Sequence, residues 1–187
     1  MSNASLHAFF VKVPLFSGLS VEELEDVVRA VRPVSVPAGQ VLFAEHDAGD
    51  SAYVIQSGLV EVFRRVDGKE VTLARLRASE VIGELALIDG ASRSAGCRTL
   101  EDCTLLRLDK AEFDYLRRNL RPAAYSIIRA IAATIAGRIR TTNDQVAEIL
   151  GPAGKAAAAP APAAEEAARP RGLFKRLFSG RGPREDR

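Results

Sequence analysis

Two cysteines and two histidines are all the thiols and imidazoles that this 187-residue chain offers to disulfide or metal chemistry. Two thiols cannot build a disulfide framework, and Cys97 and Cys103 fall on adjacent predicted strands, where small apolar packing residues are expected. His7 and His46 sit on different predicted elements, so no clustered histidine and carboxylate set marks a metal-dependent enzyme. No apolar run approaches the eighteen or more residues that span a bilayer. The N-terminus lacks a basic segment followed by a long apolar stretch and a small-residue cleavage site. A cytoplasmic location is the expectation that follows. Nucleophile elbows and Walker-type phosphate loops are missing as well, and the chain is read as not an enzyme.

Charge of one sign is also scarce where the chain is expected to fold. The net charge is +2, from 26 basic and 24 acidic residues. Residues 152–187 hold eight of the basic and four of the acidic residues, so 18 and 20 remain in residues 1–151, a net of −2. That part has no electrostatic bias toward nucleic acid.

What is present is a patterned chain with 47% apolar residues, enough for one domain plus appendages. Residues 5–32 read as helical: Ser20 and Glu23 form a capping box, and Leu24, Val27, Val28 and Val31 follow at helical spacing. From residue 34 to 108 the pattern changes to short strands, with candidates at 34–37, 40–44, 52–56, 59–65, 70–77, 94–99 and 103–108. Turns are expected at Pro37-Ala38-Gly39, Ala48-Gly49-Asp50, Ser57-Gly58 and Asp67-Gly68. The predicted fold class is mainly β with flanking α: an eight-stranded antiparallel jelly-roll barrel, N-terminal helices and a long C-terminal helix. After the barrel, Asp109 with Glu112 reads as a second capping box, and Phe113, Leu116 and Leu120 as a buried stripe. Pro122 opens a helix over 122–150 that Gly151-Pro152 is expected to end. Ile128, Ile135, Thr142 and Ile149 recur every seven residues along it, with Ala132, Ile139 and Val146 offset by four. Such a seam suits either packing on the chain's own barrel or pairing with a second copy, and the homodimer is favoured because the seam outruns the barrel.

The informative segment runs from Val81 to Ala95. Gly83 permits close backbone approach, and residues 84–88 suit a short helix whose first amides, at Leu85 and Ala86, point at an anion. Arg93 supplies a permanently charged guanidinium fork suited to two phosphate oxygens. Ser94 adds a hydroxyl. Glu84 would repel a bare phosphate, so its task is to accept hydrogen bonds from a neutral group such as a sugar hydroxyl. Taken alone, Arg93 reads as a surface arginine paired with Glu84 or Asp89. Taken with Gly83 and Glu84, it addresses one half of a small ligand while Glu84 addresses the other.

This segment resembles the phosphate-binding cassette of cyclic-nucleotide-binding domains, the family of the catabolite activator protein and of protein kinase A regulatory subunits. The resemblance spans residues 9–150 and includes Pro14 to Ser20, Ala48 to Ile55 and Gly58. It implies that Arg93 holds a cyclic phosphate, that backbone amides of Gly83 to Ala86 assist, that Glu84 takes the ribose 2′-hydroxyl, and that Ser94 reaches the phosphate or the base. It also implies that Thr142 and Asn143 face a purine from the dimerisation helix, with Asn143 where the family carries Ser. The ligand is then cAMP, favoured over cGMP, with no other cofactor and no metal. Residues 1–151 are the binding domain, and the long helix is its dimerisation element. A transcription factor of this family needs a helix-turn-helix after that helix, and here a linker of Ala and Pro over 152–170 follows, so no nucleic acid partner is expected. The competing reading is a dimeric scaffold with an unused pocket, placed by its tail.

That tail, residues 171–187, is basic and amphipathic. Leu173, Phe174, Leu177 and Phe178 share one helical face, and Lys175 and Arg176 the other. It resembles the short C-terminal anchors of bacterial division proteins such as MinD and FtsA, and it suits an anionic membrane surface or, by the same anchors, a groove on a protein partner. A location on the inner face of the membrane would follow. Co-sedimentation with anionic liposomes is expected for the full chain and not after removal of residues 171–187; binding that survives truncation ends the anchor reading.

Overall fold

The computed structural model describes residues 3–157, with side chains as far as Ile149. In chain order the elements are α1 (Asn3–Phe10), α2 (Val21–Ala30), β1 (Val31–Val36), β2 (Val41–Phe43), β3 (Ser51–Ser57), β4 (Val60–Val66), β5 (Lys69–Leu76), β6 (Val81–Ile82), α3 (Leu85–Asp89), β7 (Gly96–Thr99), β8 (Cys103–Asp109), α4 (Lys110–Arg118) and α5 (Pro122–Ala157). Two compact units divide between Ile139 and Arg140.

Eight strands form two four-stranded antiparallel sheets in the jelly-roll orders β1-β8-β3-β6 and β2-β7-β4-β5. The strand that the residue pattern does not reveal is β6, two residues inside the segment read as the pocket, too short for any periodicity to register. Alternation in β3 and β8 sets the layers. Ala52, Val54, Leu106 and Leu108 face the helices with Val27, Phe113, Ile127 and Ile131. Tyr53, Ile55, Cys103 and Leu105 face the opposite way, into the sandwich with Val60, Ile82 and Cys97. Both central strands are thus covered on both faces, which is why β3 reads as a continuous apolar run. Burial pushes the Cys97 thiol up to about 12, and burial also raises Cys103, so both behave as packing residues.

Local chemistry explains the element ends. Ser20 and Glu23 do close a reciprocal capping box at α2, and Glu23 also accepts from the Ser126 hydroxyl at 2.6 Å. The Asp67-Gly68 turn has φ of 50° and 78°, the paired positive values of a tight hairpin, and joins β4 to β5 with Val66 opposite Lys69.

Four expectations are corrected. Residues 5–32 are not one helical stretch: turns containing Pro14 and Gly18 separate α1 from α2, and residues 31 and 32 already belong to β1. Asp109 starts α4 without a side-chain cap, because its carboxylate is taken by Arg107 and Arg32. Leu120 is 88% exposed, since α4 stops at Arg118 and Leu120 turns back at φ 53°. Helix α5 overruns Gly151-Pro152 as far as Ala157; an interior proline costs an amide and crowds the preceding turn, and Ala153, Ala156 and Ala157 beyond it are strong helix formers.

In the first unit α5 buries Ala123, Ala124, Ile127 and Ile131, and Arg121 just before it holds Asp26 of α2 through two bonds of 2.9 and 2.6 Å. Ile128 and Ile135 of the seven-residue seam are partly buried against the same core, whereas Ile139 is 55% exposed. In the second unit the described part is the continuation of α5, where Thr142, Val146 and Ile149 are all exposed. Among the described residues no helix is long and apolar enough to cross a membrane. The tail residues Leu173, Phe174, Lys175, Arg176, Leu177 and Phe178 lie outside the described residues.

Candidate ligand-binding site

The segment 81–95 leaves the sheet at β6, makes the single turn and a half of α3, and returns to β7. Gly83 leads out of β6 at φ 75°, in the left-handed region open to glycine. A Cβ there would stand 2.5 Å from Arg93 Nη1, so the absence of a side chain is what lets the guanidinium lie against the backbone. Gly90 closes α3 in the left-handed conformation, with its amide bonded to the Ala86 carbonyl.

Arg93 is 4% exposed and is not a surface arginine paired with Glu84 or Asp89. Its backbone is tied to the β2–β3 connection: its amide donates to the Asp47 carbonyl at 2.8 Å, and its carbonyl accepts from His46 at 2.9 Å. Its Nη1 donates to the carbonyls of Ser51 at 2.7 Å and Gly83 at 3.3 Å. Its Nη2 donates to Ser51 Oγ at 3.1 Å and to Asp50 Oδ1 at 3.3 Å. The Phe43 ring lies under the guanidinium, 4.2 Å from Cζ to centroid. One N–H remains: Nε is buried with no hydrogen-bond partner among the described residues. A buried donor left unmade is costly, and Asp50 shares its charge with a second cation, Arg107, at 3.1 Å. The Ser51 hydroxyl first, then Arg107 and Arg93, hold the Asp50 carboxyl below the usual carboxylate range against the opposing effect of burial.

Glu84 is buried at the start of α3, and its Oε1 accepts from Arg138 of α5 at 3.2 Å. Leu85 and Ala86 form the first turn of α3, with Ala86 buried. Ser94 is exposed in the loop before β7. Gly83, Glu84, Leu85, Ala86, Arg93 and Ser94 therefore belong to one local structure, whereas Thr142 and Asn143 lie exposed in the second unit. Residue reasoning missed the roles of Asp50, Ser51, Phe43 and Arg138. Gly49 carried a usable signal, because any side chain there would collide with the Ala91 carbonyl and so mark the contact of this turn with the 83–94 segment. Among the described residues no group of three metal-ligating side chains converges.

Fold and site together define a jelly roll whose short segment between β6 and β7 holds one buried arginine, Arg93, and one buried carboxylate, Glu84. The cyclic nucleotide-binding domain family matches residues 33–119, and the chain belongs to that family. It is 36% identical over 131 residues to the cyclic AMP receptor protein of Thermus thermophilus, an alignment covering 70% of this chain and 59% of the relative. It is 30% identical over 139 residues to a CRP-like cAMP-activated global transcriptional regulator of Mycobacterium tuberculosis, covering 73% and 59%. Among solved structures it resembles the N-terminal domain of a transcriptional regulator from Streptomyces coelicolor, with TM-score 0.61, 36% identity, and coverage of 73% of this chain and 95% of that one. The chain spans 59% of the length of the two curated relatives.

Gly83→Ala is expected to lower unfolding stability by about 1–3 kcal/mol, from the left-handed backbone and the displaced guanidinium together. Urea denaturation measures this, and an unchanged midpoint would contradict the close approach.

Proposed function

We propose that the chain is a non-enzymatic regulatory module that senses a cyclic nucleotide, cAMP in preference to cGMP. The observation that carries the reading is the buried Arg93 guanidinium, with one N–H unpaired among the described residues, in the same short segment between β6 and β7 as the buried Glu84 carboxylate. A cyclic phosphate would complete the guanidinium, and the ribose 2′-hydroxyl would donate to Glu84. Ser94, exposed at the rim, would reach the phosphate or the base. The preference for cAMP draws on the two curated relatives, which are named for it.

Signal transmission follows from Arg138. This residue of α5 bonds the carboxylate that the ribose needs, so a ligand at Glu84 changes what attaches the helix to the site. Binding then shifts the population of helix arrangements without a chemical step. The exposed seam of α5 is the dimer interface of the reading, with Thr142 and Asn143 facing the base from it. The tail couples the dimer to an anionic membrane surface or a protein groove, two copies gaining by avidity. Nucleic acid has no place in it, because residues 1–151 carry a net charge of −2. The module would work on the cytoplasmic side of the membrane.

Calorimetric titration of cAMP and cGMP into wild type and Arg93→Ala tests the site. Wild type is expected to bind, with cAMP the tighter, and Arg93→Ala to lose about 2–5 kcal/mol of binding free energy; equal heats for the two proteins, or none in wild type, would sink the sensor reading. Analytical ultracentrifugation tests the interface. Ile139→Lys, at a position exposed in the single chain, is expected to convert a dimer to a monomer without lowering thermal stability, and a monomeric wild type would remove the seam from the reading.

A further inference from the structure

Asp50 poses a problem for the site it helps to build. Its Oδ1 lies 3.3 Å from Nη2 of Arg93, so an anionic carboxylate already occupies part of the guanidinium that a phosphate must take. Unless that charge is satisfied elsewhere, Asp50 competes with the phosphate and repels it. The structure shows where it is satisfied. Arg107 Nη2 is 3.1 Å from Asp50 Oδ2, and Arg107 Nε is 2.6 Å from Asp109 Oδ1. The second oxygen of Asp109 is taken by Arg32. Five side chains thus form an alternating file of Arg93, Asp50, Arg107, Asp109 and Arg32. Pairing Asp50 with Arg107 and Asp109 with Arg32 leaves one positive charge over, and it falls on Arg93. The guanidinium of Arg107 also lies over the Tyr53 ring at 5.8 Å, and Tyr53 stacks on Phe43 beneath Arg93. Both arginines are therefore held on one aromatic platform, with Asp50 between them.

We propose that Arg107 is a positioning residue of the phosphate site, neutralising Asp50 so that Arg93 is released to the ligand. The proposal rests on the cyclic-nucleotide reading of that site. Arg107 does not touch the ligand; it acts through Asp50, and its effect should vanish when Asp50 carries no charge. Asp50 is 65% exposed at its side chain, so water screens the interaction and the effect is modest.

The test titrates cAMP into wild type, Arg107→Met, Arg107→Lys and the double variant Asp50→Asn/Arg107→Met, with thermal melts alongside. Arg107→Gln serves as a second neutral variant should the methionine lower the melting temperature. Neutral variants are expected to weaken binding about fivefold, Arg107→Lys to stay within about twofold of wild type, and the double variant to recover most of the lost affinity. A merely structural arginine would not be rescued by removing a second charge. Wild-type affinity in both neutral variants, or a double variant as weak as the single one, overturns the role of Arg107 while leaving the sensor reading intact. A wild type that binds no cyclic nucleotide overturns both.

Discussion

A guanidinium cannot be neutralised by losing its proton, so burying one forces the surrounding chain to supply acceptors. Most of what is particular to this domain follows from Arg93. The carbonyls of Ser51 and Gly83 are turned toward it, Gly83 has to be a glycine in a left-handed conformation, and the β2–β3 connection grips its backbone from both sides. The acceptors found are mostly neutral, and the one carboxylate among them is shared with Arg107. The cradle therefore fixes the cation firmly while its charge is only partly matched.

Much of this was legible in the residues, for reasons that differ by position. Short-range signals survived intact: the Ser20–Glu23 box and the Asp67-Gly68 hairpin both depend on a few neighbouring residues and took the forms their chemistry dictates. The step from Gly83 to Arg93 was readable because both ends lie in one continuous segment. What could not be read was long range. Asp50 meets Arg93 from 43 positions away, and Arg138 meets Glu84 from 54. The same limit explains Asp109, whose carboxylate has the right spacing for a cap but is claimed by Arg107 and by Arg32, 77 positions distant. Leu120 fails differently, because a helical period does not announce where the helix stops.

Helix α5 carries two kinds of attachment in the first unit. Its opening turns are fixed by buried Ala123, Ala124, Ile127 and Ile131, with the Arg121–Asp26 and Ser126–Glu23 bonds beside them. Further along, Arg138 reaches Glu84 from a side chain that is itself largely exposed. Apolar burial of that density costs several kcal/mol to undo, whereas one half-solvated ion pair is worth about 1 kcal/mol or less. The first attachment holds the helix on the domain, and the second is the weaker of the two.

The placement of β3 bears on how much order a ligand must create. Ser51 opens the strand that is covered on both faces and bonded to β8 and β6 on either side, so the half of the cradle it contributes is held in a strand paired at both edges. The facing half, from Gly83 to Arg93, has only the short α3 and loop between two strand ends. On the proposed reading, such asymmetry would confine the entropy lost on binding to one short stretch of backbone, with the rest of the domain as a preset mould.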